Sequence, residues 1–257
     1  MATPRRSMLA ETGIDGIAMK PVEHRLSLAA DLGADLVTVD FEGHEHLPDT
    51  AALEQLASER TVRVTVPVRA DGFDPLGDDS SLRELPDAVG LVLVAGHPAY
   101  LSAEERDRAV GQRLEAAARD ATDPWIGTEG IERLALTVGG TQFELLSEMT
   151  ASTVRALRRA GVSVPFAVYA PAVLSTDPDT VLDGVGDYVA RRGALGTSHG
   201  ASHTDARAAG EFRDRLLAAC ERYALVGDQS DIADRIARLR DAGVDKVIAY
   251  PAAGFDD

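Results

Sequence analysis

Leu36-Val37-Thr38-Val39-Asp40-Phe41, a helix-forming stretch from Asp49 to Ser58, and Val62-Arg63-Val64-Thr65-Val66-Pro67-Val68 together read as strand, helix, strand. The two apolar runs are short and β-branched, which suits strands buried on both faces. Asp49 supplies a helix N-cap. Pro67 has no N–H to give a ladder, so regular pairing is expected to end near it. Toward the amino end, Gly13–Lys20 reads as a first strand, followed by a helix from about Val22 to Leu32 that Gly33 stops.

The same alternation continues in the other direction. Asp71 to Pro86 is turn-rich with room for a short helix, and Val89-Gly90-Leu91-Val92-Leu93-Val94-Ala95 is the clearest buried strand. Ser102-Ala103-Glu104-Glu105 is a capping box that opens a helix to about Arg119. Leu134–Val138 reads as strand five, Thr150–Ala160 as helix, and Phe166–Ala170 as strand six. Asp177-Pro178 pairs an N-cap with an N1 proline and starts a helix to about Arg192. A helix over Asp205–Arg222, a strand at Tyr223–Val226, a helix capped by Ser230 and a strand at Val247–Tyr250 close the series. Eight alternations predict a single TIM-type (βα)8 barrel over residues 1–257, trimmed or irregular in places. The competing fold is an open doubly wound sheet. Its dinucleotide-binding form wants Gly-x-Gly-x-x-Gly after the first strand, which Gly13-Ile14-Asp15-Gly16 does not supply.

Composition narrows the partners. Lys and Arg number 26 against 42 Asp and Glu, a net charge of −16. Such a surface repels nucleic acid and anionic membrane, and no basic patch offsets it. Only Lys20 and Lys246 are lysines. The acid excess predicts a halophilic, cytoplasmic protein whose self-repulsion salt relieves. No apolar run is long enough to span a membrane, and the first residues lack the apolar segment of a secretory signal. Cys220 is the one cysteine, in an apolar helical context that suits a buried thiol.

In a barrel, groups just beyond each strand's carboxyl end converge. That rule nominates Lys20, Asp40, Glu42, His44, Arg69, His97, Gly139, Gly140, Tyr169 and Tyr250. Asp40, Glu42 and His44 alternate, so a continuing strand aims them to one side, where carboxylates and imidazole serve as acid and base or hold a divalent ion. Acidic loops in an acidic protein are the plain alternative. His97 follows the most apolar strand and is the leading histidine for proton transfer. Arg69 is the candidate for orienting a carboxylate or phosphate. Gly139-Gly140 offers backbone N–H groups to a phosphate, or simply makes a turn. His199 and His203 lie four apart in a Gly- and Ser-rich stretch that reads as a loop. No complete metal motif is present.

The segment Tyr223-Ala224-Leu225-Val226-Gly227-Asp228-Gln229-Ser230-Asp231-Ile232-Ala233-Asp234-Arg235-Ile236, with Leu239-Arg240-Asp241-Ala242-Gly243-Val244-Asp245-Lys246-Val247-Ile248-Ala249-Tyr250-Pro251, resembles the end of bacterial luciferase-like flavin- or F420-dependent oxidoreductases, including methylenetetrahydromethanopterin reductase-like barrels. The resemblance covers about a tenth of the chain; the amino-terminal half departs from the family pattern. It implies a TIM-type barrel that binds FMN or F420 at its carboxyl-end face, acts on a small molecule and forms homodimers. It also implies cofactor-binding roles for Gly139, Gly140 and Gly227, while the catalytic set, Asp40, Glu42, His97 and Arg69, comes from the strand-end rule and not from the resemblance. Two alternatives remain open: a non-catalytic ligand-binding or interaction barrel, and a metal- or acid–base-assisted lyase, isomerase or hydrolase.

Overall fold

A computed structural model of the chain describes residues 9–192 and 203–255. Its strands are β1 (Gly16–Met19), β2 (Leu36–Val39), β3 (Thr61–Pro67), β4 (Gly90–Val94), β5 (Trp125–Gly127), β6 (Thr141–Leu145), β7 (Phe166–Leu174), β8 (Leu225–Gly227) and β9 (Lys246–Ala253). Hydrogen-bonded neighbours run β6-β5-β4-β3-β2-β1-β9-β7-β8, and β6 also pairs with β7. Every strand but β8 therefore belongs to one closed ring of eight. β8 is an addition, parallel to the last residues of β7 with Ala172 opposite Leu225. The ladders from β1 to β6 are parallel. This is the TIM-type α/β barrel that the alternation of runs predicts.

Two compact units share the chain. One holds Gly16–Glu144 and Ser163–Ala167; the other holds Met1–Asp15, Leu145–Val162 and Val168–Asp257. In the first, side chains alternate across the ladder. Val66, Val68, Leu93 and Ile126 pack under Leu114, Ala117 and Ala135 of the flanking helices. The opposite face is more polar. Thr38, Arg63 and Gly90 stand in register there, and Arg63 is 8% exposed. Its guanidinium donates to Asp123 Oδ2 at 2.6 Å and lies 4.5 Å over the Trp125 ring. Burial pulls the Arg63 pKa below its usual value, and Asp123 opposes that shift. A carboxylate partner is what makes a buried guanidinium tolerable. A Cβ at Gly90 would come within 3.0 Å of the guanidinium, so the missing side chain makes room for it.

The second unit is built on Val173, Leu182, Val185, Val189, Leu216, Ala219 and Cys220. Cys220 is fully buried, and burial pushes its thiol pKa up to about 12, the state of an inert packing group. The helix Gln229–Ala242 turns Ile232, Ile236 and Leu239 inward, as their spacing predicts. Gly161 (φ 88°) and Gly243 (φ 106°) each leave a helix in a backbone conformation that other residues resist. Ala-Gly-Val at 160–162, which recurs at 242–244, is therefore shared turn chemistry.

Several boundaries move. Leu134–Val138, expected as a strand, lies in the helix Glu132–Val138. Ile131, Leu134, Ala135 and Val138 face the core, and that 3.6-residue period is masked in a short apolar run. The strands of this region are instead β5 and β6, before and after that helix. Asp228, not Ser230, caps the last helix: its carboxylate accepts from the N–H groups of Ser230 and Asp231. The helix expected over 22–32 is reduced to Leu28–Asp31. The expected capping box of Ser102 and Glu105 forms, but the helix breaks and resumes as Val110–Asp120.

Candidate functional site

The strand ends of the first unit bring a subset of the expected residues together. Asp40 leaves β2 with its N–H donating to Met19 O at 2.8 Å, which holds the ends of β1 and β2 side by side. Phe41 N–H donates to Thr65 Oγ1 at 2.5 Å. That bond fixes the backbone between Asp40 and Glu42 against β3. Glu42 Oε2 then accepts from Val22 N–H at 3.3 Å, and Lys20 Nζ pairs with Glu23 at 3.3 Å.

Tyr100 completes the group. Its ring lies 6.5 Å from Phe41 and 6.0 Å from His97, centroid to centroid, and it is 44% exposed. The phenol pKa is raised, first by partial burial and then by the charges of Glu42, Asp40 and Glu23, with Lys20 opposing. The hydroxyl therefore stays protonated at neutral pH and is a donor. Sequence reading missed Tyr100. Its one signal was a large aromatic residue two positions after the proline that follows His97.

His97 is exposed and caps the short turn Pro98–Tyr100 by accepting Ala99 N–H on Nδ1 at 3.1 Å. In neutral His97 the proton then sits on Nε2, which is left to donate. His44 is tied down: Nε2 bonds Asp71 O at 3.0 Å and the ring stacks 5.2 Å from Phe73.

Arg69 has a different part. Its guanidinium donates to Ala95 O at 2.7 Å, Arg106 O at 2.7 Å and Gly96 O at 3.1 Å. Three carbonyls thus take the fork that was expected to orient an anion, and the bonds fix the backbone just before His97. Arg108, Arg113, Asp71 and the buried Asp74 extend this network.

The glycines do not join the group. Gly139 and Gly140 precede β6, so they lie at its amino end. Both carbonyls accept from Gln142 Nε2, at 3.1 and 3.3 Å. Gly140 has φ 70°, and a Cβ there would sit 2.5 Å from Pro124 O. Gly140→Ala is expected to lower stability by about 2–3 kcal/mol, combining backbone strain with a clash against backbone. Gly161→Ala, where φ is 88° and nothing lies within 4 Å, should cost only about 1 kcal/mol. Denaturant midpoints measure both, and equal losses would contradict the packing argument. In the other unit, Gly227 (φ 130°) ends β8 with Asp231 against it. Tyr169 and Tyr250 lie within β7 and β9 and stack 6.3 Å apart. His199 falls outside the described residues.

A groove of about 530 Å³ in the first unit is lined by Thr61, Val62, Leu82, Leu85, Gly90 and Ala117 among others. It opens at the amino ends of β3 and β4 and contains none of the carboxyl-end groups. Among the described residues, no group of three His, Cys, Asp or Glu side chains is arranged to hold a metal ion, and no helix is long and apolar enough to cross a membrane.

Compared with known proteins, residues 9–257 match the model of a family of unknown function, DUF7388. The chain belongs to the DUF7388 family. No curated protein matches it. Solved structures similar to this DUF7388 chain include an F420-dependent secondary alcohol dehydrogenase in complex with an F420-acetone adduct. That one is 13% identical, with a TM-score of 0.58 over 93% of this chain and 94% of the other. Apo-MsnO8 is 15% identical, with a TM-score of 0.54 over 99% and 89%. The monooxygenase RslO1 from Streptomyces bottropensis is 17% identical, with a TM-score of 0.50 over 94% of each. At these identities the likeness is one of fold.

Proposed function

We propose that this barrel is an oxidoreductase-type enzyme whose small-molecule site lies at the carboxyl ends of β1, β2 and β4. The observation that carries the reading is the gathering of Lys20, Asp40, Glu42 and His97 around the exposed ring of Tyr100. The fold likeness to F420-dependent and monooxygenase barrels supports it. The exposed faces of Tyr100 and Val22 suit a flat heteroaromatic ring such as that of FMN or F420, with polar groups at its edge. When bound, such a ring supplies hydride transfer.

The chain's own residues bind and move protons. The Tyr100 hydroxyl and His97 Nε2–H are donors toward a substrate oxygen or a ring heteroatom. Asp40 and Glu42 accept protons and stabilise positive charge. Arg69 is a positioning residue that fixes the backbone before His97.

Titration with flavin and deazaflavin chromophores in 2 M KCl, followed by absorbance and fluorescence, tests the reading. At least one is expected to bind. Tyr100→Ala is expected to weaken it about tenfold, the worth of one good aromatic contact. Binding of none of them by the folded protein would sink the proposal.

A further inference from the structure

The two strand-end cations that could receive a phosphate, Lys20 and Arg69, are already committed to partners within the chain. Beside the carboxyl-end group, the Arg69 guanidinium is bonded to three carbonyls, and the Lys20 ammonium is paired with Glu23 at 3.3 Å. The charges that act on Tyr100 are three carboxylates, Glu23, Asp40 and Glu42, against that one ammonium. A dianion brought beside Tyr100 meets more negative than positive charge from these side chains, and Lys20 and Arg69 are held by partners that it would have to displace.

The glycines assigned to a phosphate by resemblance fit it no better. Gly139 N–H already donates to Ala135 O at 3.1 Å, and the pair lies at the amino end of β6. At Gly227, the helix Gln229–Ala242 begins with a reciprocal pair of carboxylates. Asp228 accepts from Ser230 N–H at 2.8 Å and Asp231 N–H at 3.0 Å, while Asp231 accepts from Asp228 N–H at 3.1 Å. The donors that a helix start offers an anion are taken by the chain's own anions.

We infer that the carboxyl-end site takes a phosphate-free ring, neutral or cationic in its tail, rather than a phosphate-bearing cofactor such as FMN. The inference rests on the ring-binding reading above and makes it more specific.

Riboflavin and FMN differ only by the phosphate and separate the cases. Each is titrated into the full chain at 2 M and 0.5 M KCl, with folding verified by circular dichroism at both. Riboflavin is expected to bind at least as tightly as FMN, with FMN losing affinity relative to riboflavin as salt falls and repulsion lengthens. FMN binding more than twofold tighter than riboflavin at either salt would overturn the inference and leave the ring-binding reading standing. Binding of neither would overturn the inference, and the ring-binding reading falls with it only if the deazaflavin chromophores fail to bind as well. Lys20→Gln is the second probe. If the ammonium is committed to Glu23, the variant changes the ratio of the two affinities by less than twofold. A fivefold loss confined to FMN would assign Lys20 to the phosphate and reject the inference.

Discussion

Asp74→Asn is expected to destabilise the fold by about 3–5 kcal/mol, the usual cost of removing one partner from a buried ion pair. Asp74 is 1% exposed. One carboxylate oxygen accepts from Arg113 Nε at 2.9 Å and Arg108 Nη1 at 3.3 Å, and the other from Leu76 N–H at 2.9 Å. Asparagine has the same shape but loses the charge, and its amide turns donors toward donors. Two largely buried guanidiniums then lack their shared counterion, and Asp71, bonded to Arg108 at 2.7 Å, serves only one of them. The same substitution loosens the loop from Arg69 to Asp78 that backs the β4 turn. Guanidinium chloride and urea midpoints at fixed pH measure the effect. A loss below 1 kcal/mol would mean that the pair is hydrated and unimportant. Arg113→Met, which removes one cation and keeps the apolar stem, should cost less than Asp74→Asn because Asp74 retains Arg108 and a backbone donor.

That network was not legible in the sequence, and its span explains why. Asp74 meets arginines 34 and 39 residues away, and nothing in the Asp71–Pro86 turn region marks one of its four aspartates as buried. The barrel was legible because β2, β3 and β4 are short β-branched runs between helices with caps at Asp49 and Asp177 that form as expected. Strand and helix were confused at Leu134–Val138, where five residues are too few for periodicity to declare itself. β5 escaped notice because three residues, Trp125-Ile126-Gly127, make a strand only in the company of β4 and β6. The rule of strand ends put Lys20, Asp40, Glu42 and His97 just beyond β1, β2 and β4, and that is where they stand in the chain's fold. It failed for Gly139 and Gly140 because it inherited the false strand. For Arg69 the position is right and the task differs: a side chain's exposure to a ligand depends on the carbonyls that reach it first.

Stability is expected to fall as salt is withdrawn, by about 3–5 kcal/mol between 2 M and 0.1 M KCl. The figure is an upper-range estimate from spreading the net charge over a compact chain of this length in water. The excess of 16 negative charges repels itself over a Debye length of about 3 Å at 1 M and about 10 Å at 0.1 M. Local pairing acts the other way. Exposed pairs such as Glu115–Arg119 and Asp187–Arg191 strengthen when salt is removed, but each contributes only about 0.3–0.5 kcal/mol. With 42 acids and 26 bases, full pairing still leaves the whole excess unpaired, so repulsion decides the sign. Reversible unfolding in a KCl series at pH 7 checks it. Equal midpoints at 0.1 and 2 M with an unchanged oligomeric state would defeat the argument and leave the scarcity of lysine a matter of composition alone. The Asp74→Asn cost provides an internal control. Its ion pairs are buried and weakly screened, so that loss should be nearly the same at 0.5 and 2 M while the parent protein's midpoint moves.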